Sequence, residues 1–390
     1  MSTTQFTERT APPEPPAVRR PLSVAMVGLR GIPTTYGGVE RAVEELSAEL
    51  VKRGHRVTVY ARTAYTDPSI TSHRGVDLIR LPQINTKHLE AISHTTLALA
   101  DVLRRREYDI VHVHATGPAL LSFLPRLGRI PTVATIQGLD YRREKWGPVA
   151  KAVLRVAARA AVTFPQRTIV VSRELERHCR DVYGRETLYI PNGVRVDPPP
   201  EMESLEGLER DRFVLFLGRL VPEKHVHTLI TAYRSVDTDL PLVIAGPDSH
   251  SGDYVEKLRS LAAQDPRVRL IGPRYGDDKS WLLHNASVFV QPSSIEGLPI
   301  ALLEALACGR YPIVSGIPEN LEPVTLPSGV RLGETVRVDD PDDLGRAIAR
   351  ALTYDRRAED GETLRRHVLD TYAWEQIAAA TEAVYLGLLR

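Results

Sequence analysis

Cysteine is nearly missing from this chain of 390 residues: Cys179 and Cys308 stand far apart and in no metal-ligand spacing. That usage speaks against a disulfide scaffold and fits a reducing, cytoplasmic compartment. Long apolar runs are missing too, since none approaches the ~18 residues needed to cross a bilayer. The first residues, 1–21, are rich in Thr, Pro, Glu and Arg without an apolar core, and read as a disordered tail and not a signal peptide. Charge excess is absent: 50 Lys and Arg against 49 Asp and Glu leave a net +1, so nucleic acid is not an expected partner. No Gly-x-Gly-x-x-Gly and no Gly-x4-Gly-Lys-Ser/Thr occurs, which disfavours dinucleotide enzymes and P-loop NTPases. Asp237-Thr-Asp239 has the spacing of a divalent-metal clamp but precedes a strand at 241, at the amino edge of a sheet, and reads as a turn. The acidic run Asp339–Asp343 reads as a helix cap. No metal site and no resident cofactor is expected.

What is present is an ordinary globular composition, 43% apolar and 25% charged, over a length that suits two domains. Apolar strand-like runs alternate with segments of helical period. Ser23–Leu29 precedes a helix over 39–53 with apolar positions 39, 43, 46 and 50. Strands near 56–61, 76–81, 109–114, 132–136 and 168–172 follow, with helices near 86–106, 118–127 and 148–164 between them. Residues 191–210 break the rhythm with Pro198-Pro-Pro200 and an acidic stretch. It resumes with strands near 213–218, 241–246, 268–272, 287–291 and 311–315, then three closing helices. This order predicts α/β architecture: two doubly wound, Rossmann-like parallel sheets facing a central cleft. The expected division is an N-terminal domain over 22–195, a linker over 196–210, a C-terminal domain over 211–372 and a final helical segment over 373–390.

Ser294–Gly309 carries the strongest chemical signal. A strand, a short polar loop and a helix place Glu296 on the loop and Glu304 within the helix, as Glu-x7-Glu. A helix N-terminus at the carboxyl end of a parallel strand suits an anion such as a diphosphate, and two carboxylates beside it suit a polyhydroxy ligand. Spacing alone leaves solvated surface glutamates open. Gly218-Arg219-Leu-Val-Pro-Glu-Lys224 ends another strand on the same side, and Arg and Lys together suit a diphosphate.

The Glu-x7-Glu block with Gly-Leu-Pro after its first Glu, and the Gly-Arg-x3-Glu-Lys element, resemble the retaining glycosyltransferases of the GT-B fold, family 4 (group 1) type. The resemblance extends over nearly all the chain beyond the tail. It implies a metal-independent hexosyltransferase using a nucleotide-diphospho sugar, with Glu296 at the donor sugar, Leu298, Pro299 and Ile300 near sugar and phosphate, and Glu304 at the ribose. Arg219 and Lys224 would then neutralise the leaving diphosphate. Gly28-Leu-Arg-Gly-Ile-Pro-x-x-Tyr36-Gly-Gly38-x-Glu40 resembles a subgroup associated with rhamnosyl or other hexosyl transfer in bacterial surface polysaccharides. It implies Gly38 near the donor phosphate, with Tyr36 and Glu40 near the acceptor.

The segment Gln137-Gly-Leu-Asp140 opens a polar loop after a strand, and relatives usually carry His at the place of Gln137. Gln cannot titrate, but it can hydrogen-bond a sugar hydroxyl. His114 and Asp140 are further candidates on this side, and Tyr275 is a candidate for the nucleobase. A basic stripe at Lys151, Arg155 and Arg159, near Arg142, Arg143 and Lys145, fits either a solvated face or peripheral contact with anionic lipid through helix 148–164. Expected partners are therefore a nucleotide sugar and a hydroxyl acceptor: a surface glycan, a lipid-linked sugar or a small natural product. A catalytically idle sugar-nucleotide-binding scaffold and a nucleotide-sugar epimerase are the alternative readings.

Overall fold

The computed structural model describes residues 20–34, 37–86, 89–143, 146–248 and 252–390. Most of the tail, Tyr36 and Lys145 lie outside them.

Two parallel sheets make the frame. The first contains β1 (Ser23–Val27), β2 (Arg56–Arg62), β3 (Ser72–His73), β4 (Val76–Leu81), β5 (Ile110–His114), β6 (Thr132–Ile136), β7 (Arg167–Val170) and β8 (Leu188–Tyr189). Its order is β3-β4-β2-β1-β5-β6-β7-β8, parallel except for β3 against β4. The second holds β9 (Val214–Leu217), β10 (Leu242–Ala245), β11 (Val268–Gly272), β12 (Val288–Gln291), β13 (Tyr311–Ser315) and β14 (Glu334–Val336), in the order β11-β10-β9-β12-β13-β14. Strands such as β1, β5 and β13 are buried at every position, because helices cover both faces. That explains why they read as unbroken apolar runs and not as alternating ones.

The strand order locates the crevices. In the first sheet β1 lies between β2 and β5, and in the second β9 lies between β10 and β12. Connections leave these central neighbours in opposite directions, and open α/β sheets bind ligands at such switch points, beyond the carboxyl ends of the strands. The segments following β1, β9 and β12 are therefore the ones to inspect.

One expectation needs correction. The helix expected near 118–127 is a short helix, Thr116–Ala119, followed by a 3-10 turn, Leu124–Gly128; Pro118 and Pro125 interrupt any continuous ladder. The Pro-rich segment after 196 packs on helix Gly276–Asn285. Ser280 Oγ and His284 Nε2 donate to the carbonyls of Pro198 and Asp197 at 3.3 and 2.9 Å, and Trp281 Nε1 donates to that of Met202 at 3.0 Å. Strands β3, β8 and β14, each of two or three residues, are too short to show a period.

The last helix, Trp374–Leu388, returns to the first sheet. Glu382 binds Arg53 and His55, and the Tyr385 hydroxyl meets His112 Nδ1 at 2.6 Å. Beside it, the Val194 N–H donates to the Tyr372 carbonyl at 2.7 Å. A Cβ at Gly193 would stand 2.4 Å from the Trp374 ring, so the two crossings between the lobes lie side by side.

Candidate functional site

One cleft of about 420 Å³ opens between the lobes where the switch-point segments meet. Helix Gly38–Lys52 enters it from the first lobe and helix Ile300–Ala307 from the second. Their N-termini nearly touch, since a Cβ at Gly38 would lie 3.7 Å from Ile300 Cδ1. Two positive dipole ends with free N–H groups thus face one point, a strong setting for an anion. Pro299 precedes the second helix as its N-cap residue, one place before the first turn.

Arg219 and Lys224 follow β9 and line the same cleft. The 3-10 turn Pro222–Lys224 presents Lys224 to Glu296, with which it forms an ion pair. Glu296 also accepts from Gln291 Nε2 at 2.5 Å, and Gln291 closes β12 with only 1% exposure. Glu304 is paired with Lys279 at 2.7 Å. Arg219 differs: among the described residues no carboxylate lies within 4 Å of its guanidinium. Burial lowers its pKa, and nearby Arg143 lowers it further. A half-buried cation without a bonded counter-ion, near a second cation and only remotely compensated by Glu223, Glu296 and Glu40, favours an incoming anion.

Leu298, Pro299, Ile300 and Tyr275 also line the cleft. Tyr275 is the residue before helix Gly276–Asn285 and is 49% exposed. The Leu298 carbonyl accepts from Asn192 Nδ2 at 3.3 Å, which ties the loop to the first lobe. Gln137 lies on the opposite wall. A Cβ at Gly297 would be 1.9 Å from the Gln137 carbonyl oxygen, so here the lobes meet backbone to backbone.

The remaining first-lobe residues divide. Glu40 is buried beneath the glycine turn, accepts from the Arg30 N–H at 3.3 Å and acts electrostatically on Arg219. Asp140 is held by Thr116 Oγ1 at 2.9 Å and by Arg143 at 3.4 Å, and does not line the cleft. His114 does not reach it either. It is sealed beneath the sheet end with Nε2 3.4 Å from Met26 Sδ, and burial drives its pKa down to about 3. It lines a small cavity bounded by Trp374, Ile377 and Thr381 and by the cleft residues Gln137 and Asn192.

Gln291, Asn192, Arg143 and Lys279 were not singled out as site residues by sequence. Only Gln291 offered a signal, a polar residue ending an apolar strand. Asp239 pairs with Arg212 at 2.6 Å at the amino edge of β10, away from the cleft, as its position predicts.

Comparison with known proteins follows the same division. The family described as Glycosyltransferase Family 4 matches residues 36–198, and Glycosyl transferases group 1 matches residues 200–366. An MMP alpha-(1->4)-mannosyltransferase from Mycolicibacterium hassiacum is 26% identical over 410 residues, covering 93% of this chain and 98% of that protein. Among solved structures, sucrose-phosphate synthase from Thermosynechococcus elongatus superposes with a TM-score of 0.81 at 21% identity, over 94% of this chain and 99% of its own. Anabaena HepE in complex with UDP and glucose gives 0.76 at 18% identity, over 94% and 100%.

Proposed function

The chain belongs to the family 4, group 1 type of glycosyltransferases with the GT-B fold, and on that premise we propose that it transfers a hexosyl unit with retention, without a catalytic metal, from a nucleotide-diphospho sugar to a hydroxyl acceptor. The observation that carries this reading is the convergence of Arg219, Lys224 and two helix N-termini on one cleft flanked by Glu296 and Glu304. Cations and N–H dipoles aimed at a leaving diphosphate stabilise charge that grows in the transition state. The complex of HepE, a fold neighbour, with UDP and glucose supports a nucleotide-sugar donor.

In this mechanism the diphosphate sits between the helix ends, against Arg219 and Lys224. Glu304 accepts hydrogen bonds from the ribose, and Glu296, with the backbone of Leu298 to Ile300, orients the sugar. The bond from the anomeric carbon to the diphosphate oxygen breaks, and the electron pair leaves with the phosphate. The acceptor oxygen forms its bond on the same face, and its proton passes to the departing phosphate oxygen. Gln137 needs no proton in this scheme; it positions a hydroxyl from the first lobe, while Glu40, buried beneath the glycine turn, acts on the site through its charge.

A lipid-linked acceptor has support of its own. Helix Pro148–Ala161 exposes Val149, Val153 and Val156 by 80, 54 and 62% beside Lys151 and Arg155. Apolar residues next to cations on an exposed helix suit an anionic bilayer surface. Loss of cosedimentation with anionic vesicles in Val153→Asp checks this; equal binding of both proteins rejects it.

The test of the reaction is proton NMR of the product in EDTA. The anomeric coupling should match that of the donor. An inverted product, or activity abolished by EDTA, overturns the reading.

A further inference from the structure

Directly after Lys224 the chain runs His225-Val-His227, and both imidazoles reach Asp339 from outside the cleft. His225 Nδ1 lies 3.0 Å and His227 Nε2 3.7 Å from Asp339 Oδ1. The three ligand atoms all fall within 4.8 Å of one another. We propose that His225, His227 and Asp339 form a site for a divalent transition ion of the zinc or nickel class, which fastens the Lys224 turn to the segment entering helix Pro341–Thr353.

Four features support this. First, two imidazoles and a carboxylate are a donor set that suits zinc, cobalt and nickel. Atoms each ~2.1 Å from a tetrahedral ion stand roughly 3.4 Å apart, and the two observed separations bracket that value. Second, 3.7 Å is too long for a hydrogen bond, so His227 Nε2 faces Asp339 without bonding to it. Third, the other ring nitrogen of His227 is held by the Tyr254 hydroxyl at 3.0 Å. The same hydroxyl accepts from the His227 backbone N–H at 3.4 Å; in the Nδ1–H tautomer Nε2 keeps its lone pair for an ion, the outer-shell arrangement typical of metal-bound histidine. Fourth, Thr228 Oγ1 donates to Asp339 at 2.5 Å and fixes the carboxylate. Asp340, and not Asp339, caps the following helix, accepting from the Asp343 N–H at 2.9 Å. The cap therefore does not employ Asp339.

None of the three residues lines the cleft. The site is thus compatible with a transfer reaction that itself needs no metal, and its test does not depend on that reaction.

The experiment is calorimetric titration of the EDTA-stripped full chain with zinc and nickel chloride, alongside thermal melting. His227→Ala and Asp339→Asn are suitable variants. Asn tolerates the left-handed backbone of position 339, where φ is 57°, and melting without metal checks the fold of both. One saturable ion per chain is expected, with a rise in Tm on zinc addition. Both variants should weaken binding by roughly tenfold or more, and Tyr254→Phe by roughly 10- to 100-fold. Wild-type affinity retained in the variants would place the ion on other histidines. Absence of saturable binding would reduce the cluster to a hydrogen-bonded pair. Either result overturns the proposal.

Discussion

Lys224 and Glu296 hold each other across the floor of the cleft, and Gln291 holds Glu296 from behind. The pair compensates a half-buried cation, which on the proposed reading a diphosphate would share. Lys224→Ala removes charge stabilisation that grows as the leaving group departs, so kcat should fall by about 10²–10³. Binding of nucleoside diphosphate should fall much less. Single-turnover kinetics and calorimetry separate these quantities, and equal losses in both would show that Lys224 acts in ground-state binding alone.

Glu304 is engaged by Lys279, and a ribose with two hydroxyls would share that carboxylate. Glu304→Ala should weaken donor binding by about 1–3 kcal/mol, the range for loss of buried charged hydrogen bonds. Unchanged donor affinity in this variant removes the ribose from this position.

Gly297 packs against the backbone of Gln137, leaving no room for a Cβ. Gly297→Ala should wedge the lobes apart while each sheet stays folded. A displacement of about 1 Å between reacting groups can cost roughly 10²-fold in rate. The variant should therefore melt almost normally, bind nucleotide and turn over poorly. Wild-type turnover would show that closure at this point is dispensable.

Glu319 is 7% exposed, and burial raises its carboxyl pKa to about 7. A group whose folded pKa lies above the unfolded value binds more protons when folded, so its stability contribution is complete below about 4.5 and is lost as pH rises through about 7. Glu319→Gln should flatten that dependence and stabilise the chain at pH ~8 by about 1–3 kcal/mol relative to wild type. Denaturant unfolding at pH ~5 and ~8 measures it. A variant with the same pH dependence as wild type would assign the effect elsewhere.

The frame and one wall of the site were legible in sequence because buried parallel strands are uniformly apolar and helix periods are regular. Arg219, Lys224 and Glu296 could be placed because each lies on the loop beyond a strand's carboxyl end, and Glu304 because its spacing puts it in the helix that follows. What could not be read depends on side-chain direction and on contacts between distant segments. His114 ends a strand beside the crevice and yet lines a separate small cavity against the closing helix. Lys279 meets Glu304, and Asn192 meets the Leu298 carbonyl, across spans that carry no local signal. The docking of residues 197–202 on helix Gly276–Asn285 runs largely through backbone carbonyls, which any sequence possesses.

The most direct test of the central claim is release of nucleoside diphosphate from a panel of UDP-, GDP-, ADP- and dTDP-sugars, in EDTA and with a mixed acceptor pool. Release from one donor, dependent on acceptor and lost in Lys224→Ala, is the expected result. Silence across the whole panel, with nucleotide still tightly bound, would contradict it and leave a binding scaffold in which Gln137→His becomes the next variant to assay.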